Sequence, residues 1–481
     1  MRVGLVSGDG LPVSGLLTIF RNVIDIGRAM GVLELPIPTD LGFAWRPDKP
    51  QFFPTGDASM ATPAWMLLAH CPAVILREPA AFADELTALR EHVARSSLLS
   101  ALAQKQLPAR IARLAAIYYE HFTRWLSSYD LDWVIALNMT LSDAVPATTA
   151  LHRAIHDRFA DRRRGGVVFW DHDLFQSCAI RDPGSGLRIY PEQPNAYTPL
   201  PGRNAYTRWV VVSEALAKEA ANYPTDLTPI VVPNILPALP VGEPDERHRA
   251  FARQLDLDLR RPVLLNPVRI FRVKGVHIAL HLLAALKGAA EREQSETPYL
   301  LVFGSLQEDA EYGREVVDLV HDLDIVSCVR FLDGVPLTSY CDTGGCWRLD
   351  ERDLLHLSVA TSGGVVFTPA VPDVETVGLG PGLGAQAGLP CAVTKYDAFE
   401  SIYGSALACV QITPDPDGIE RAGVEYFRML QRQQQRDRQL LRKLQENQRL
   451  IAQRFPREPW RNLWQELQTA LLARTKRSLL S

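Results

Sequence analysis

Short runs of consecutive apolar residues alternate along the chain with longer stretches in which apolar positions recur every three or four residues. Val3–Val6, Ala73–Leu76, Trp133–Leu137, Val167–Trp170, Trp209–Ser213 and Ile230–Val232 are brief, rich in β-branched residues and in several cases bounded by polar or turn residues, so they predict buried strands. Between them, segments such as Leu16–Met30 and Thr148–Phe159 carry the helical period. Strand and helix in alternation predict a parallel sheet covered by helices on both faces. The pattern weakens at Pro233-Asn234-Ile235-Leu236-Pro237, where Pro240, Pro244 and a charged stretch from Glu243 to Arg253 follow. A second series then begins: Val263–Leu265, Tyr299–Phe303, Val329–Leu332, Val365–Thr368, Cys391–Thr394 and Cys409–Ile412. The chain therefore divides into two doubly wound domains.

Two helical regions stand outside this alternation. Ala83–Ser127 is expected to be interrupted near Pro108, and Gly423–Arg454 is rich in Gln and Arg. An Arg-rich helix is ordinarily a solvated face. No repeat of solenoid period is present.

A chain of 481 residues is too long for one core, in keeping with two domains. A net charge of -4 gives no electrostatic case for nucleic acid as the main partner. The cysteines Cys71, Cys178, Cys328, Cys341, Cys346, Cys391 and Cys409 are odd in number and follow no framework spacing, as expected of reduced thiols in a cytoplasmic protein. Cys341 and Cys346 sit in a Gly-containing loop, but no second pair or spaced His completes a metal site. The first apolar run is too short for a signal peptide, and no stretch reaches the roughly eighteen apolar residues of a membrane span.

Four places carry candidate chemistry. After the first strand of the second series comes Asn266-Pro267-Val268-Arg269-Ile270-Phe271-Arg272-Val273-Lys274-Gly275, followed by a helix over Gly275–Leu283. The carboxyl end of a strand in such a sheet is where ligands sit, and Arg269 and Lys274 there suit a diphosphate, one as a planar fork and the other as a point charge. Spacing alone leaves two solvated surface cations as an equal alternative. The second place is Glu375-Thr376-Val377-Gly378-Leu379-Gly380-Pro381, a strand feeding a glycine-rich turn. Gly378 and Gly380 let backbone N–H groups approach a ligand, and a helix after Pro381 would aim its positive end there. Taken alone, a tight strand-to-helix packing turn explains the same residues.

The third place is Ser7-Gly8-Asp9-Gly10 and Ser14-Gly15, a loop suited to a phosphate or an acceptor but without the spacing of a dinucleotide fingerprint. The fourth is Trp170-Asp171-His172-Asp173, polar groups on a strand's exit edge.

Taken together these pieces resemble the large family-4 group of retaining glycosyltransferases. In that group the second domain opens with a strand, then Arg, four residues and Lys-Gly, as Arg269 and Lys274-Gly275 do here. Pro233-Asn234-Ile235 resembles its Pro-Asn-Gly segment, Leu300–Gly304 its strand ending in glycine, Ser213 the Ser that closes a first-domain strand, and Asn447–Arg454 with Trp460–Leu471 its closing helices. The group's signature is Glu, seven residues, Glu. Glu375-Thr376-Val377-Gly378-Leu379 matches its first half, Leu383 stands where the second Glu would be, and Gly388-Leu389-Pro390 returns to the pattern.

The resemblance implies a GT-B fold, two Rossmann-like domains facing across a cleft. It places the acceptor-side domain at 1–235, a linker at 236–260, the donor domain at 261–460 and a helix at 461–481 returning to the first domain. It implies transfer of a sugar from a nucleoside diphosphate sugar, with retention, to a small-molecule or saccharide acceptor. Arg269 and Lys274 would bind the diphosphate, helped by backbone N–H groups of Gly378 and Leu379. Glu375 would hold sugar hydroxyls, and His172 would contact the sugar or the transition state. Gly304, Val335 and the Leu383 position would lie near base and ribose; Gly15, with Asp171 and Asp173, would line the acceptor cleft. No metal or other cofactor is implied. Leu383 leaves open a binding relative without turnover, and the fold a sugar phosphorylase. Relatives also use basic first-domain helices on membranes, and Arg90, Arg95, Lys105, Arg110 and Arg113 lie in such a region, although the negative net charge favours a soluble acceptor.

Overall fold

The computed structural model describes residues 1–8, 15–42, 45–47, 61–68, 79–161, 164–178 and 190–478. The expected strand Ala73–Leu76, together with Cys71, Asp9, Gly10 and Ser14, lies outside these. Two doubly wound sheets are present, as the alternation predicts. In the first domain β1 (Val3–Ser7), β2 (Ile37–Asp40), β3 (Met66–Leu68), β4 (Trp133–Leu137), β5 (Gly166–Asp171), β6 (Thr207–Val211) and β7 (Ile230–Val231) form one sheet in the order β3-β2-β1-β4-β5-β6-β7. In the second, β8 (Val263–Asn266), β9 (Tyr299–Val302) and β10 (Val329–Phe331) precede a hairpin of β11 (Tyr340–Cys341) and β12 (Trp347–Arg348). Then β13 (Gly364–Phe367), β14 (Cys391–Val393) and β15 (Val410–Gln411) complete a sheet in the order β10-β9-β8-β13-β14-β15. Every pairing in the two large sheets is parallel.

The periodicity overlooks β2, β3 and the hairpin, which are short or broken by Pro38 and by turn residues. The expected run Trp209–Ser213 stops at Val211, because Ser213 turns out and caps the helix Glu214–Ala220 by accepting from the Leu216 N–H.

The first anticipated long helical region is broken elsewhere than expected, and the second, expected as one stretch, is divided. Pro108 lies inside the continuous helix Ala101–Ser128. A proline there deprives the carbonyl four residues earlier of its N–H partner. That carbonyl belongs to Gln104, and the Tyr197 hydroxyl donates to it at 3.4 Å, while buried Leu107, Ile111 and Leu114 pin the helix to the core. The break falls instead at Ser96–Ser100, between the helix Pro79–Ala94 and the Ser100 cap. The second region divides into Pro416–Gln434 and Arg438–Arg454: Arg436 adopts a left-handed conformation at φ +55° and Asp437 caps the second of these helices. Several basic residues of the earlier region are already paired: Arg110 and Arg113 share Glu85, each at 3.0 Å, and Arg90 lies 4.0 Å from Asp143. Among the described residues no helix is long and apolar enough to cross a membrane.

The domains are fastened along the helix Gly15–Ala29. Arg21 on it is 0% exposed, donates to the Leu337 carbonyl of the second domain at 3.0 Å, and stands 3.7 Å from Asp350 and 3.5 Å from Glu351. Next to it Asn22 donates to the Ile235 carbonyl at 2.9 Å. The helix Glu458–Ser478 packs back onto the first domain through indole donors: Trp460 to the Pro233 carbonyl at 2.9 Å and Trp464 to that of Val23 at 3.3 Å. Burial pushes the Glu351 carboxyl above its ordinary value against the pull of Arg21. Arg21→Ala would therefore leave two poorly solvated carboxylates without their buried cation, with only the partly exposed Arg352, 3.9 Å from Asp350, still nearby. It is expected to cost about 3–5 kcal/mol in urea denaturation; a loss under about 1 kcal/mol, the scale of a surface pair, would show that the seam closes without it.

Candidate functional site

In an open doubly wound sheet the ligand crevice lies beyond the carboxyl ends of the two strands between which the winding reverses. In the second domain those strands are β8 and β13. The two stretches singled out in the sequence are the loops that leave them. Asn266 ends β8 fully buried and donates to the Val366 carbonyl of β13 at 2.9 Å, so the two exits are fixed side by side. A single 3-10 turn, Arg272–Lys274, leads into Gly275 at φ +66°. A β-carbon there would sit 1.9 Å from the Thr368 carbonyl oxygen, which only glycine avoids. Thr368 Oγ1 donates to the Gly275 carbonyl at 2.9 Å and the Ala370 N–H to that of Val273 at 3.0 Å.

This contact carries Lys274 to Glu375. The ammonium donates to Glu375 Oε1 at 2.7 Å, with side chains 27% and 11% exposed. Arg269 is held separately: its Nε donates to Glu308 Oε1 at 3.0 Å and its guanidinium lies 4.6 Å from the Phe271 ring centre. The structure thus brings Arg269, Lys274 and Glu375 to one edge.

In the glycine-rich turn packing explains the glycines. Gly378 is at φ +62°, a β-carbon on it would meet Tyr396 Oη at 2.5 Å, and its carbonyl accepts from the Tyr396 and Tyr403 hydroxyls. A β-carbon on Gly380 would meet the Phe367 ring at 2.4 Å. The helix that begins there, Gly380–Gln386, is short, and Leu379 is its N-cap residue. Leu383, expected in the ribose region, is a core side chain instead: it is 3% exposed in a helix whose first six residues are all buried. Gly304 and Val335, expected near the base, also serve packing. A β-carbon on Gly304 would lie 2.6 Å from the Ile270 nitrogen, so this glycine admits the Arg269 loop, and Val335 is buried.

In the first domain the winding reverses between β1 and β4. Gly15, where the helix after β1 begins, is exposed, and a β-carbon on it would lie 3.9 Å from Leu379 of the second domain. Asp171 does not line the cleft as expected. It is fully buried, and one of its oxygens accepts from Thr140 Oγ1 at 2.6 Å and Trp209 Nε1 at 2.8 Å, tying β5 to its surroundings. Burial pushes its carboxyl up to about 7. His172 is 4% exposed and its Nε2 meets Asn234 Oδ1 at 3.0 Å. Burial holds its imidazole down at about 3, so it is neutral at physiological pH. Asp173 is partly exposed and accepts from Asn138 Nδ2 at 3.2 Å.

Three residues that sequence reasoning missed hold these in place. Asn138, at the exit of β4 with φ +50°, accepts the His172 N–H at 2.7 Å and donates to Asp173. Its position directly after the buried run Trp133–Leu137 was the available signal. Arg46, nearly fully buried, forms a forked pair with Asp143, both contacts at 3.1 Å, and donates to the Gly8 carbonyl at 2.7 Å. Glu308 has no local signal in the sequence.

The buried Asp171 generates a pH prediction. Its folded value of about 7 lies above the ordinary 3.8, so between those limits the folded protein keeps a proton that the unfolded chain has released. This group therefore favours folding at low pH, and its contribution is lost as pH rises toward 7. Asp171→Asn keeps an acceptor for Thr140 and Trp209 and removes the titration. Urea denaturation from about pH 4 to pH 8 should show the variant gaining on the native protein as pH rises; parallel curves would mean that Asp171 is ionised in the fold throughout.

No protein-family model matches the chain, and no curated protein matches it. Solved structures do. Sucrose-phosphate synthase from Thermosynechococcus elongatus superposes with a TM-score of 0.55 at 15% identity, over 98% of this chain and 99% of that one. WaaG, a glycosyltransferase involved in lipopolysaccharide biosynthesis, gives 0.53 at 13% identity over 96% and 98%. Anabaena Alr3699/HepE in complex with UDP and glucose gives 0.52 at 14% identity over 98% and 100%. What these likenesses show is architecture: over nearly its whole length the chain has the GT-B fold of solved glycosyltransferases, two Rossmann-like α/β domains of parallel sheet.

Proposed function

We propose that this chain is a retaining glycosyltransferase that moves a sugar from a nucleoside diphosphate sugar to a hydroxyl of a small-molecule or saccharide acceptor. The observation that carries the reading is the meeting of Lys274 and Glu375 at 2.7 Å, on the two loops that leave β8 and β13, with Arg269 on the same edge. A cation at this edge suits a diphosphate, and a carboxylate beside it suits the hydroxyls of the sugar that the diphosphate carries. The donor's phosphates take over Lys274, which frees Glu375 for the sugar.

As the bond between the anomeric carbon and the phosphate oxygen breaks, negative charge gathers on the diphosphate. Arg269 and Lys274 are fixed close by and favour that state over the ground state. The acceptor hydroxyl attacks the anomeric carbon from the face the diphosphate is leaving. Its proton passes to the departing phosphate oxygen, so the new glycosidic bond keeps the old configuration and no protein base is needed. The two cations supply the countercharge that a metal ion provides elsewhere, and the proposal requires none. His172, kept neutral by burial, can offer the sugar a polar contact but no positive charge. The buried Leu383 favours one second reading, a nucleotide-sugar binder without turnover, which would bind donor and transfer nothing.

The first test is thermal unfolding with UDP, GDP, dTDP and ADP in turn, beginning with UDP because it is the nucleotide in the HepE complex. A ligand at about a hundred times its dissociation constant stabilises by roughly 2.7 kcal/mol. In a chain of this size that is a shift of roughly 2–4 °C. No shift with any nucleotide or nucleotide sugar, but one with orthophosphate, would replace the transferase by a phosphorylase. Lys274→Ala should weaken the bound nucleotide by about 1.5–3 kcal/mol, the worth of a charge-assisted contact. Glu375→Ala should lower turnover more than affinity for the bare nucleotide. Equal losses in both, measured by titration calorimetry and by transfer rate, would remove Glu375 from the sugar.

A further inference from the structure

The two cations of the β8 loop are restrained in different ways, and the difference assigns a role to Glu308. Lys274 meets a carboxylate on the opposite loop, one that the donor's sugar also needs. Arg269 meets Glu308, which stands 39 positions further on, between β9 and the capping residue Asp309 of the helix Ala310–Asp322. Glu308 makes two contacts at once. One oxygen accepts from Arg269 Nε at 3.0 Å, and the other accepts from the backbone N–H of Ile270 at 2.7 Å. Its side chain is only 16% exposed. The carboxylate therefore grips the arginine side chain and the backbone one residue along.

Two further contacts complete the setting. The Phe271 ring lies 4.6 Å from the guanidinium carbon. Gly304, at the end of β9, lets the loop come so close that a β-carbon there would stand 2.9 Å from Arg269 Cα. The guanidinium is planar, and the contact of Glu308 with Nε fixes the direction in which its two terminal nitrogens extend. An arginine that recognises phosphate as a fork works best when its plane is already set, because less side-chain freedom is lost on binding.

We propose that Glu308 is a positioning residue for the donor diphosphate: anchored by the Ile270 N–H, it holds the Arg269 guanidinium in the orientation that receives the phosphates. It touches no substrate and acts only through Arg269. This inference rests on the reading of the β8–β13 edge as a diphosphate site. Glu308 also lowers the positive charge at Arg269, so an effect through charge alone would have the opposite sign and tighten binding when the carboxylate is removed. The sign of the change is therefore diagnostic.

The experiment is a double-mutant cycle on Glu308→Gln and Arg269→Ala, read by calorimetric titration with whichever of UDP, GDP, dTDP and ADP binds the native protein, with inorganic pyrophosphate as a base-independent probe. Glutamine keeps one acceptor oxygen, so the loop has a partner and the fold has no new cavity; unfolding temperatures check this. Loss of orientation should raise the dissociation constant for both probes about tenfold, the equivalent of about 1.4 kcal/mol. In the Arg269→Ala background the same substitution should change it less than about twofold, because the residue it acts through is gone. With the full donor, KM should rise more than kcat falls. Equal losses with and without Arg269, an unchanged constant, or tighter binding would each overturn the role of Glu308. A native protein that binds none of the five probes would overturn the diphosphate reading and this inference with it.

Discussion

The candidate site depends on one contact between two stretches of backbone. Gly275 and Thr368 approach so closely that no side chain fits between them, and two hydrogen bonds, both donated from the start of the loop after β13, lock it onto the loop after β8. Loops at sheet edges are ordinarily the most variable part of such a fold. Here their relative position is set by hard contact and hydrogen bonding, and the cation and carboxylate further along inherit it. Lys274 and Glu375 are thus placed by this contact, and Arg269 separately by Glu308, before any ligand arrives, which is the condition for electrostatic stabilisation to favour a transition state.

In the first domain the polar groups at the strand exits mostly answer to one another. Asp171 serves Thr140 and Trp209, His172 meets Asn234, and Asn138 links His172 to Asp173. Burial makes Asp171 hard to ionise and His172 hard to protonate, so adjacent residues are driven in opposite senses of charge but both toward neutrality.

Much of the fold was legible because a buried strand must be apolar and a covering helix must be periodic. Those requirements are local, so Trp133–Leu137 or Val263–Leu265 announces itself. The breaks were harder. Pro108 reads as a helix breaker until Tyr197, distant in sequence, supplies the missing donor to Gln104, and nothing in a run of Gln and Arg marks Arg436 as the residue that turns left-handed. At the site, the spacing of Arg269, Lys274 and Gly275 could be read because the three share one loop. Glu308 could not, because it reaches Arg269 only when β9 is laid beside β8. Asp171 and Leu383 were legible as residue types but not as buried ones, since burial is a property of what covers them.

Arg21 has a mechanical consequence. It lies on the same helix as Gly15, six positions along, and a helix rises about 1.5 Å per residue, so roughly 9 Å separates the residue anchored to the second domain from the one that looks across at Leu379. Were one half to rotate against the other about this anchor, the fulcrum would lie close to Gly15. With so short a lever arm, a rotation of about 10° displaces Gly15 by only roughly 1.5 Å. Parts of the first domain further from the fulcrum sweep proportionally greater arcs. A rotation about Arg21 would thus leave the gap between Gly15 and Leu379 nearly constant while more distant walls travel.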